Sequence, residues 1–303
     1  MLPSISVIIP TFNGEHRIFN LLESIQKQAF TDLELIIVVD GSYDNTTYRL
    51  RHQELRFPMT IIEQANKGRA AARNAGAQVA KSELLLFLDD DMTVVEDTIG
   101  LHKQMHSSME SKILCGRQIE SPDDSYSDFE IFKAQRSYFW ESDIPKNVPI
   151  PIEKMYLTAA HFSILKSDFI KLGGFDERLT DAEDYDLGIR ATMMQIPVIF
   201  CPELTSYHHN KLNCTKTINR QIQYQKAHQK LLSLHPEYQQ INKYVKKVKR
   251  NIFKETVYVF LSLPLFPFFI DRINFFVLLP QKIRYKIYGS VVHAQVKYRT
   301  NDL

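Results

Sequence analysis

Leu84-Leu85-Leu86-Phe87-Leu88-Asp89-Asp90-Asp91-Met92 is the segment around which the chain is organised. Five apolar residues, the length of a short strand, run without interruption into three carboxylates. A continuous apolar run reads as a strand buried on both faces, as in parallel sheets. In open parallel sheets ligands lie outside the carboxyl ends of the strands, so these acids are delivered to a ligand's position. Three adjacent negative charges repel unless solvent or a cation compensates them. Hard oxygen donors suit Mg²⁺ or Mn²⁺ shared with substrate phosphates. The alternative is a polar turn that caps the following helix, since Asp is a good N-cap.

The flanks repeat the pattern. Upstream, Ile5 to Ile9 is a β-branched strand stopped by Pro10-Thr11-Phe12-Asn13-Gly14. Ile18, Leu21, Leu22 and Ile25 then recur at helical spacing. Leu33 to Val39 is a second strand ending at Asp40-Gly41-Ser42-Tyr43-Asp44. A helix over 44–55, a strand over 59–62 and an Ala-rich helix over 68–80 follow. Strands alternating with helices predict an α/β fold, a mainly parallel sheet covered by helices on both faces. Downstream the alternation weakens: a helix over 95–108, a strand over 113–119, and a stretch over 121–151 without clean periodicity. A strand over 156–164 and a short helix lead to Gly173-Gly174. The acidic Asp181-Ala182-Glu183-Asp184-Tyr185-Asp186 opens another helix, and a last strand over 198–201 precedes Tyr207-His208-His209.

Of 303 residues, 44% are hydrophobic and 24% charged, ample material for a globular core. Lys and Arg number 37 against 35 Asp and Glu, a net charge of +2. That balance argues against a dedicated nucleic-acid binder. Cys115, Cys201 and Cys214 are unpaired in spacing and read as core residues of a protein in a reducing cytosol. Met1-Leu2-Pro3-Ser4 enters a strand directly, without the pattern of a secretory signal.

Read together, these segments resemble the family 2 glycosyltransferases. The residues that carry the resemblance are Val7 to Asn13, Val38 to Asp44, Asn66-Lys67-Gly68, Ala72-Arg73-Asn74-Ala75-Gly76, Phe87 to Asp91, Gly173 to Glu177 and Glu183 to Leu187. Each is short; their joint order, over residues 4 to 210, is specific. The resemblance implies a GT-A, Rossmann-like fold and inverting transfer from a nucleotide-diphosphate sugar, with a UDP-sugar favoured. Pro10, Thr11, Phe12, Asn13, Asp40, Gly68, Arg73 and Asp90 would meet the donor nucleotide. Asp89 and Asp91, with His208 or else its neighbour His209, would hold Mn²⁺ or Mg²⁺. In a strand-like segment alternate residues point the same way, so Asp89 and Asp91 would share the metal while Asp90 faces the sugar or ribose. The base that takes the acceptor's proton would be Asp184, with Glu183 next. Competing structural readings stand beside these: Asp40 as a turn acid, Arg73 as the partner of an acid, and Asp186 as the i, i+4 partner of Arg190.

Two departures matter. Val39 stands where many relatives carry a second acid, which loosens the expectation of uracil. The Gln-x-x-Arg-Trp signature of processive synthases is absent, since the one tryptophan is Trp140; single-sugar transfer fits better. The expected organisation is a catalytic domain over 1–214, its nucleotide-binding half over 1–120 and its acceptor-side half over 121–214. A helical, apolar and basic extension over 215–303 follows. In that extension Lys243 to Arg250 is basic, and the apolar runs Val257 to Ile270 and Ile273 to Leu279 are too short to span a bilayer. They suit an anionic membrane interface or a packing arm. The expected location is cytoplasmic, peripheral on the inner face of a membrane, with a glycan or lipid-linked acceptor. A nucleotidyltransferase and a non-catalytic sugar- or membrane-binding relative are the rival readings.

Overall fold

The structure, a computed structural model, describes residues 4–121, 126–209, 211–241 and 252–300. The chain forms two compact units: Met1–Ser121 with Ile144–His209, and Pro122–Asp143 with Asn210–Leu303. The first runs β1 (Ile5–Thr11), α1 (Ile18–Gln26), β2 (Leu33–Asp40), α2 (Thr46–Arg51), β3 (Met59–Gln64), α3 (Arg69–Val79), β4 (Leu84–Leu88), β5 (Met92–Val94), α4 (Thr98–Met105) and β6 (Ile113–Glu120). After α5 (Asp128–Ser142), part of the second unit, it resumes with β7 (His161–Leu165), α6 (Lys166–Lys171), α7 (Glu183–Met193) and β8 (Val198–His208).

The described residues of the first unit build one eight-stranded mixed α/β sheet in the order β3-β2-β1-β4-β7-β6-β8-β5. The β3-β2-β1-β4 half is parallel, as the apolar runs required. Beyond it β7 runs antiparallel to β4 and β6, β8 is parallel to β6, and β5 is antiparallel to β8. Connections leave β1 toward β2 on one side while β4 lies on the other, the switch point at which an open sheet offers a crevice. All five residues of β4 are buried, as are Ile18, Leu21, Leu22 and Ile25 of α1. Gly76 lets α3 lie against the sheet: a Cβ there would come 2.5 Å from Ile8 Cγ2.

Three expectations change. Asp89-Asp90-Asp91 are not strand-like but form a turn between β4 and β5, closed by Met92 N donating to Asp89 O at 3.3 Å. The predicted strand over 156–164 shortens to β7, leaving Tyr156 to Ala160 as a loop. The last strand does not stop at Cys201. A register shift opposite Gly116 and Arg117 absorbs Pro202 to Leu204, and β8 continues to His208, where it pairs with Met92.

Beneath the sheet lies a chain of buried imidazoles. Ser206 Oγ donates to Arg117 O at 3.3 Å and bonds His161 Nδ1 at 2.9 Å. His161 Nε2 meets His102 Nε2 at 2.9 Å, and Ser163 Oγ joins His102 Nδ1 (2.7 Å) to His106 Nε2 (3.0 Å). A carbonyl can only accept, so with neutral rings every proton points one way along the chain. His106 Nδ1, buried, is its unpartnered end. Burial pushes all three histidines down, His106 and His161 to about 4.

The second unit is helical: α5, α8 (Cys214–Leu234), α9 (Ile252–Leu261), α10 (Leu265–Arg272) and α11 (Gln281–Thr300). Residues 122–143, expected on the acceptor side of the catalytic domain, fall within it, because Phe129 and Phe132 of α5 share a core with Ile218, Ile270, Tyr288 and Val292. Asp128 fastens α5 to α11, accepting from Arg284 Nε at 2.8 Å and Tyr288 Oη at 2.8 Å. Asp271, which ends the first apolar run, accepts from Cys214 N (2.7 Å) and Thr215 N (3.0 Å) at the start of α8. The basic Lys243 to Arg250 stretch lies outside the described residues. Among those residues no helix is long and apolar enough to cross a membrane.

Candidate active site

The turn at the end of β4 sends its three acids to three different partners, which resolves their mutual repulsion. Asp89 accepts from Arg73 Nη2 at 2.6 Å. Asp90 accepts from Thr11 Oγ1 at 2.6 Å and from Arg17 Nη2 at 3.1 Å. Asp91 Oδ2 lies 3.2 Å from His208 Nε2. Asp90 therefore faces the β1 loop. Burial pushes its carboxyl up to about 6 against the pull of Arg17 and Thr11. Burial would raise Asp91 too, but His208 and Arg17 hold it below its ordinary range. Gly14 permits this closure, since a Cβ there would stand 2.1 Å from Thr11 Oγ1 and 2.8 Å from Asp90 Oδ2.

The two loops that follow β1 and β2 are pinned to each other. Pro10 and Thr11 end β1, paired with Val38 and Val39. Asn13 N donates to Ser42 Oγ at 2.9 Å, and Tyr43 N donates to Asn13 Oδ1 at 3.0 Å. Phe12 and Tyr43 stand exposed, edge to face at 5.9 Å. Asp40 ends β2. It is 4% exposed and accepts from Gln64 Nε2, Lys67 N and Gly68 N, each at 2.8 Å. Its carboxylate holds the β3–α3 loop, where Gly68 takes a φ of +88°; the turn-acid reading describes it.

Arg73 also follows the alternative reading. Its guanidinium is buried, Nη1 donating to Glu183 Oε1 at 2.9 Å and Nη2 to Asp89, with the Phe175 ring 5.5 Å away. One turn earlier on α3, Arg69 lies 3.2 Å from Asp181 Oδ1 and 4.0 Å from Glu183 Oε1. Two cations thus tie the start of α7 to α3 and β4. Next to them Asp184 is half-buried, its Oδ2 accepting from Ala159 N at 3.2 Å and its Oδ1 from Tyr185 N at 2.8 Å. Burial raises both Glu183 and Asp184 above the ordinary carboxylate range, Asp184's charge adding to the effect on Glu183. Asp186 pairs with Arg190 at 2.6 Å, the expected i, i+4 partnership, and Arg190 also donates to Leu172 O and Gly174 O.

Several site residues were not anticipated. Arg17 was missed, although a base between two acid-bearing loops is a readable signal. Arg69 sits at i−4 from Arg73, so two bases share one face of a helix that precedes an acidic segment. Asn74 clamps the glycine loop, its Nδ2 donating to Phe175 O at 2.9 Å while its Oδ1 accepts from Phe175 N at 2.9 Å. Of the two histidines, His208 meets the Asp91 carboxylate, whereas His209 Nε2 lies 2.9 Å from Thr93 Oγ1.

The expected trio of Asp89, Asp91 and His208 does not gather. Asp89 is held by Arg73, and among the described residues no group of three or more His, Cys, Asp or Glu is arranged to hold a metal ion. The Asp91–His208 pair does fit one in part. Its 3.2 Å spacing suits adjacent ligands of an octahedral ion whose bonds are roughly 2.0–2.2 Å. Carboxylate and imidazole leave the remaining positions to water and phosphate oxygens.

Known proteins share both the sequence pattern and the fold. The Glycosyl transferase family 2 profile matches residues 6–169. The chain is 36% identical over 88 residues to the UDP-Glc:alpha-D-GlcNAc-diphosphoundecaprenol beta-1,3-glucosyltransferase WfgD of Escherichia coli, covering 29% of this chain and 34% of that protein. Matches to curated relatives span between 26% and 60% of those proteins' lengths. Among solved structures, the mannosyltransferase PcManGT of Pyrobaculum calidifontis, in complex with GDP-Man and Mn²⁺, aligns with a TM-score of 0.61 at 16% identity, covering 98% of this chain and 87% of that one. S. aureus TarS 1-349 in complex with UDP-GlcNAc aligns with a TM-score of 0.55 at 16% identity, covering 97% and 73%. With a profile match over more than half its length, on a fold that these GT-A enzymes share, the chain belongs to glycosyl transferase family 2.

Proposed function

We propose that this chain transfers a single sugar, with inversion, from a nucleotide-diphosphate sugar to a hydroxyl of a glycan or lipid-linked acceptor. The observation that carries the proposal is the division of labour among the acids. Asp91 and His208 form a metal-competent pair beside the β4 turn, while Asp184, half-buried and raised in proton affinity, has no cationic hydrogen-bond partner among the described residues. Asp184 acts as the base. Its carboxylate is oriented by the N–H groups of Ala159 and Tyr185, and its raised proton affinity suits removal of the acceptor's proton during attack on the anomeric carbon. Glu183, fastened to Arg73, positions α7 rather than taking that proton. One base with no covalent intermediate leads to inversion.

Asp91 and His208 would hold Mn²⁺ or Mg²⁺, which supplies positive charge to the departing diphosphate. Thr11 and Arg17 orient Asp90 and thereby the β1 loop, whose exposed Phe12, with Tyr43, offers aromatic surface to the nucleotide base. A UDP-sugar is favoured by the names of WfgD and the TarS complex; the GDP-Man complex of PcManGT is the counterexample to test against. WfgD's diphosphoundecaprenol acceptor supports a lipid-linked acceptor, and with it work at the cytoplasmic face of a membrane for envelope or extracellular polysaccharide.

Purified protein offered a panel of UDP-, GDP- and dTDP-sugars, with Mn²⁺ or Mg²⁺ and with EDTA, tests this reading by the nucleotide released. Release of UDP from one UDP-sugar in the presence of metal is expected. No release from any donor, or equal release in EDTA, overturns it.

A further inference from the structure

The second unit carries a large exposed apolar surface. Between Val257 and Ile283, twelve large apolar side chains are 37–85% exposed. They expose on the order of 1,000 Å², where a soluble monomer's largest apolar patch is a few hundred. Ring contacts join parts of the patch. Phe260 of α9 packs edge-to-face on Phe266 of α10 at 5.1 Å. Phe268 contacts Phe269 at 5.8 Å, and Phe269 contacts Phe275 at 5.4 Å. Leu278, 85% exposed, projects from the one-turn helix Phe275–Leu278, with Ile273 before it and Ile283 after it.

The charges around the patch have one sign. Residues 252–287 contain Lys254, Arg272, Lys282, Arg284 and Lys286 against Glu255 and Asp271. Both acids are engaged inside the unit, Glu255 with Lys297 and Tyr298, and Asp271 at the start of α8. Arg272, Lys282 and Lys286 are exposed, and the two lysines stand one helical turn apart beside Ile283. Exposed lysines within an apolar patch argue against a protein partner, since lysine is depleted from protein interfaces. They match the negative surface of an anionic bilayer, which attracts bases while apolar side chains enter the acyl boundary. Pro264 and Pro267 break the apolar run, and α9 and α10 have 10 and 8 residues, so these helices lie in the interface and do not cross it.

We infer that the α9–α10 ridge with the Phe275–Leu278 turn is a docking surface for an anionic phospholipid bilayer. The inference does not depend on the donor, the acceptor or the base in the first unit.

Co-sedimentation of the full chain with vesicles tests it. Phosphatidylglycerol-containing vesicles should bind at least ten-fold more protein than pure phosphatidylcholine, and 1 M salt should weaken binding. The pair Ile273→Asp and Leu278→Asp, both at exposed positions, should lower partitioning at least ten-fold with an unchanged circular dichroism spectrum. The pair Lys282→Glu and Lys286→Glu should lower it by about five-fold per lysine and flatten the salt dependence. Failure of the wild type to bind anionic vesicles overturns the inference, as does binding that survives the Ile273 and Leu278 substitutions. So does a solution dimer that those substitutions dissociate, since a second copy would then cover the ridge.

Discussion

The two units use charge and apolar surface in opposite ways. In the first, the apolar strands are buried, and the charged side chains at their ends bind one another: Arg73 to Asp89 and Glu183, Arg17 to Asp90, Arg69 to Asp181, His208 to Asp91. In the second, Asp128 and Asp271 are drawn inward to fasten helices, and large apolar side chains face solvent. Buried ion pairs contribute little net stability, yet removing one partner leaves a costly unpaired charge. The first unit therefore holds the loops at its strand ends in place electrostatically. The second holds itself together with a small aromatic core and leaves its adhesive surface outside.

Substitutions in each unit test that contrast. The largest effect is expected on activity: Asp184→Asn should reduce turnover by roughly 10²- to 10⁴-fold while donor affinity, measured calorimetrically, stays near wild type. Glu183→Gln separates the two acids, because loss of the Arg73 contact should appear first in the unfolding midpoint. If Glu183→Gln removes turnover with stability intact, Glu183 is the base.

Arg73→Met comes next. It strands Asp89 and Glu183 and should cost about 3–5 kcal/mol in urea unfolding. A loss below about 1 kcal/mol would mean that the network is not holding α7 to the sheet.

The imidazole chain gives a smaller, pH-dependent effect. His102, His106 and His161 are neutral when folded and titrate near 6.5 when unfolded, so the unfolded state binds more protons as pH falls. Stability should be full above about pH 6.5 and decline toward pH 4, by on the order of 1 kcal/mol per pH unit for each histidine. A flat urea midpoint between pH 7 and 5 would show that the chain accommodates a proton. Smallest of all, Leu278→Asp on the second unit should move stability by no more than about 0.5 kcal/mol, because nothing buried is disturbed.

Much of the nucleotide half was legible because its signals are local. The runs Ile5 to Ile9, Leu33 to Val39 and Leu84 to Leu88 became strands, and the 3–4 spacing of Ile18 to Ile25 became a buried helix face. What failed depends on partners far apart in the chain. Alternation cannot describe Asp89 to Asp91 because the chain turns there, and the partners of the three acids lie up to 117 residues away. Asp40 looked free for a nucleotide base because its donors Lys67 and Gly68 are backbone groups, invisible as chemistry in a sequence. Arg73 could be read toward nucleotide or acid, and only the packing of α7 against α3 decides. The helix α5 was hidden because its buried face, Phe129 and Phe132, is completed by residues of α8, α10 and α11.

We propose that Asp91 and His208 make the metal end of the donor site, while Asp89 belongs to Arg73. Calorimetric titration of UDP into the Asp91→Asn variant, with and without Mn²⁺, addresses it directly. Wild-type protein should bind UDP more tightly with Mn²⁺, and Asp91→Asn should lose that gain while keeping its metal-free affinity. An Asp91→Asn variant that retains the full Mn²⁺ enhancement would contradict the assignment.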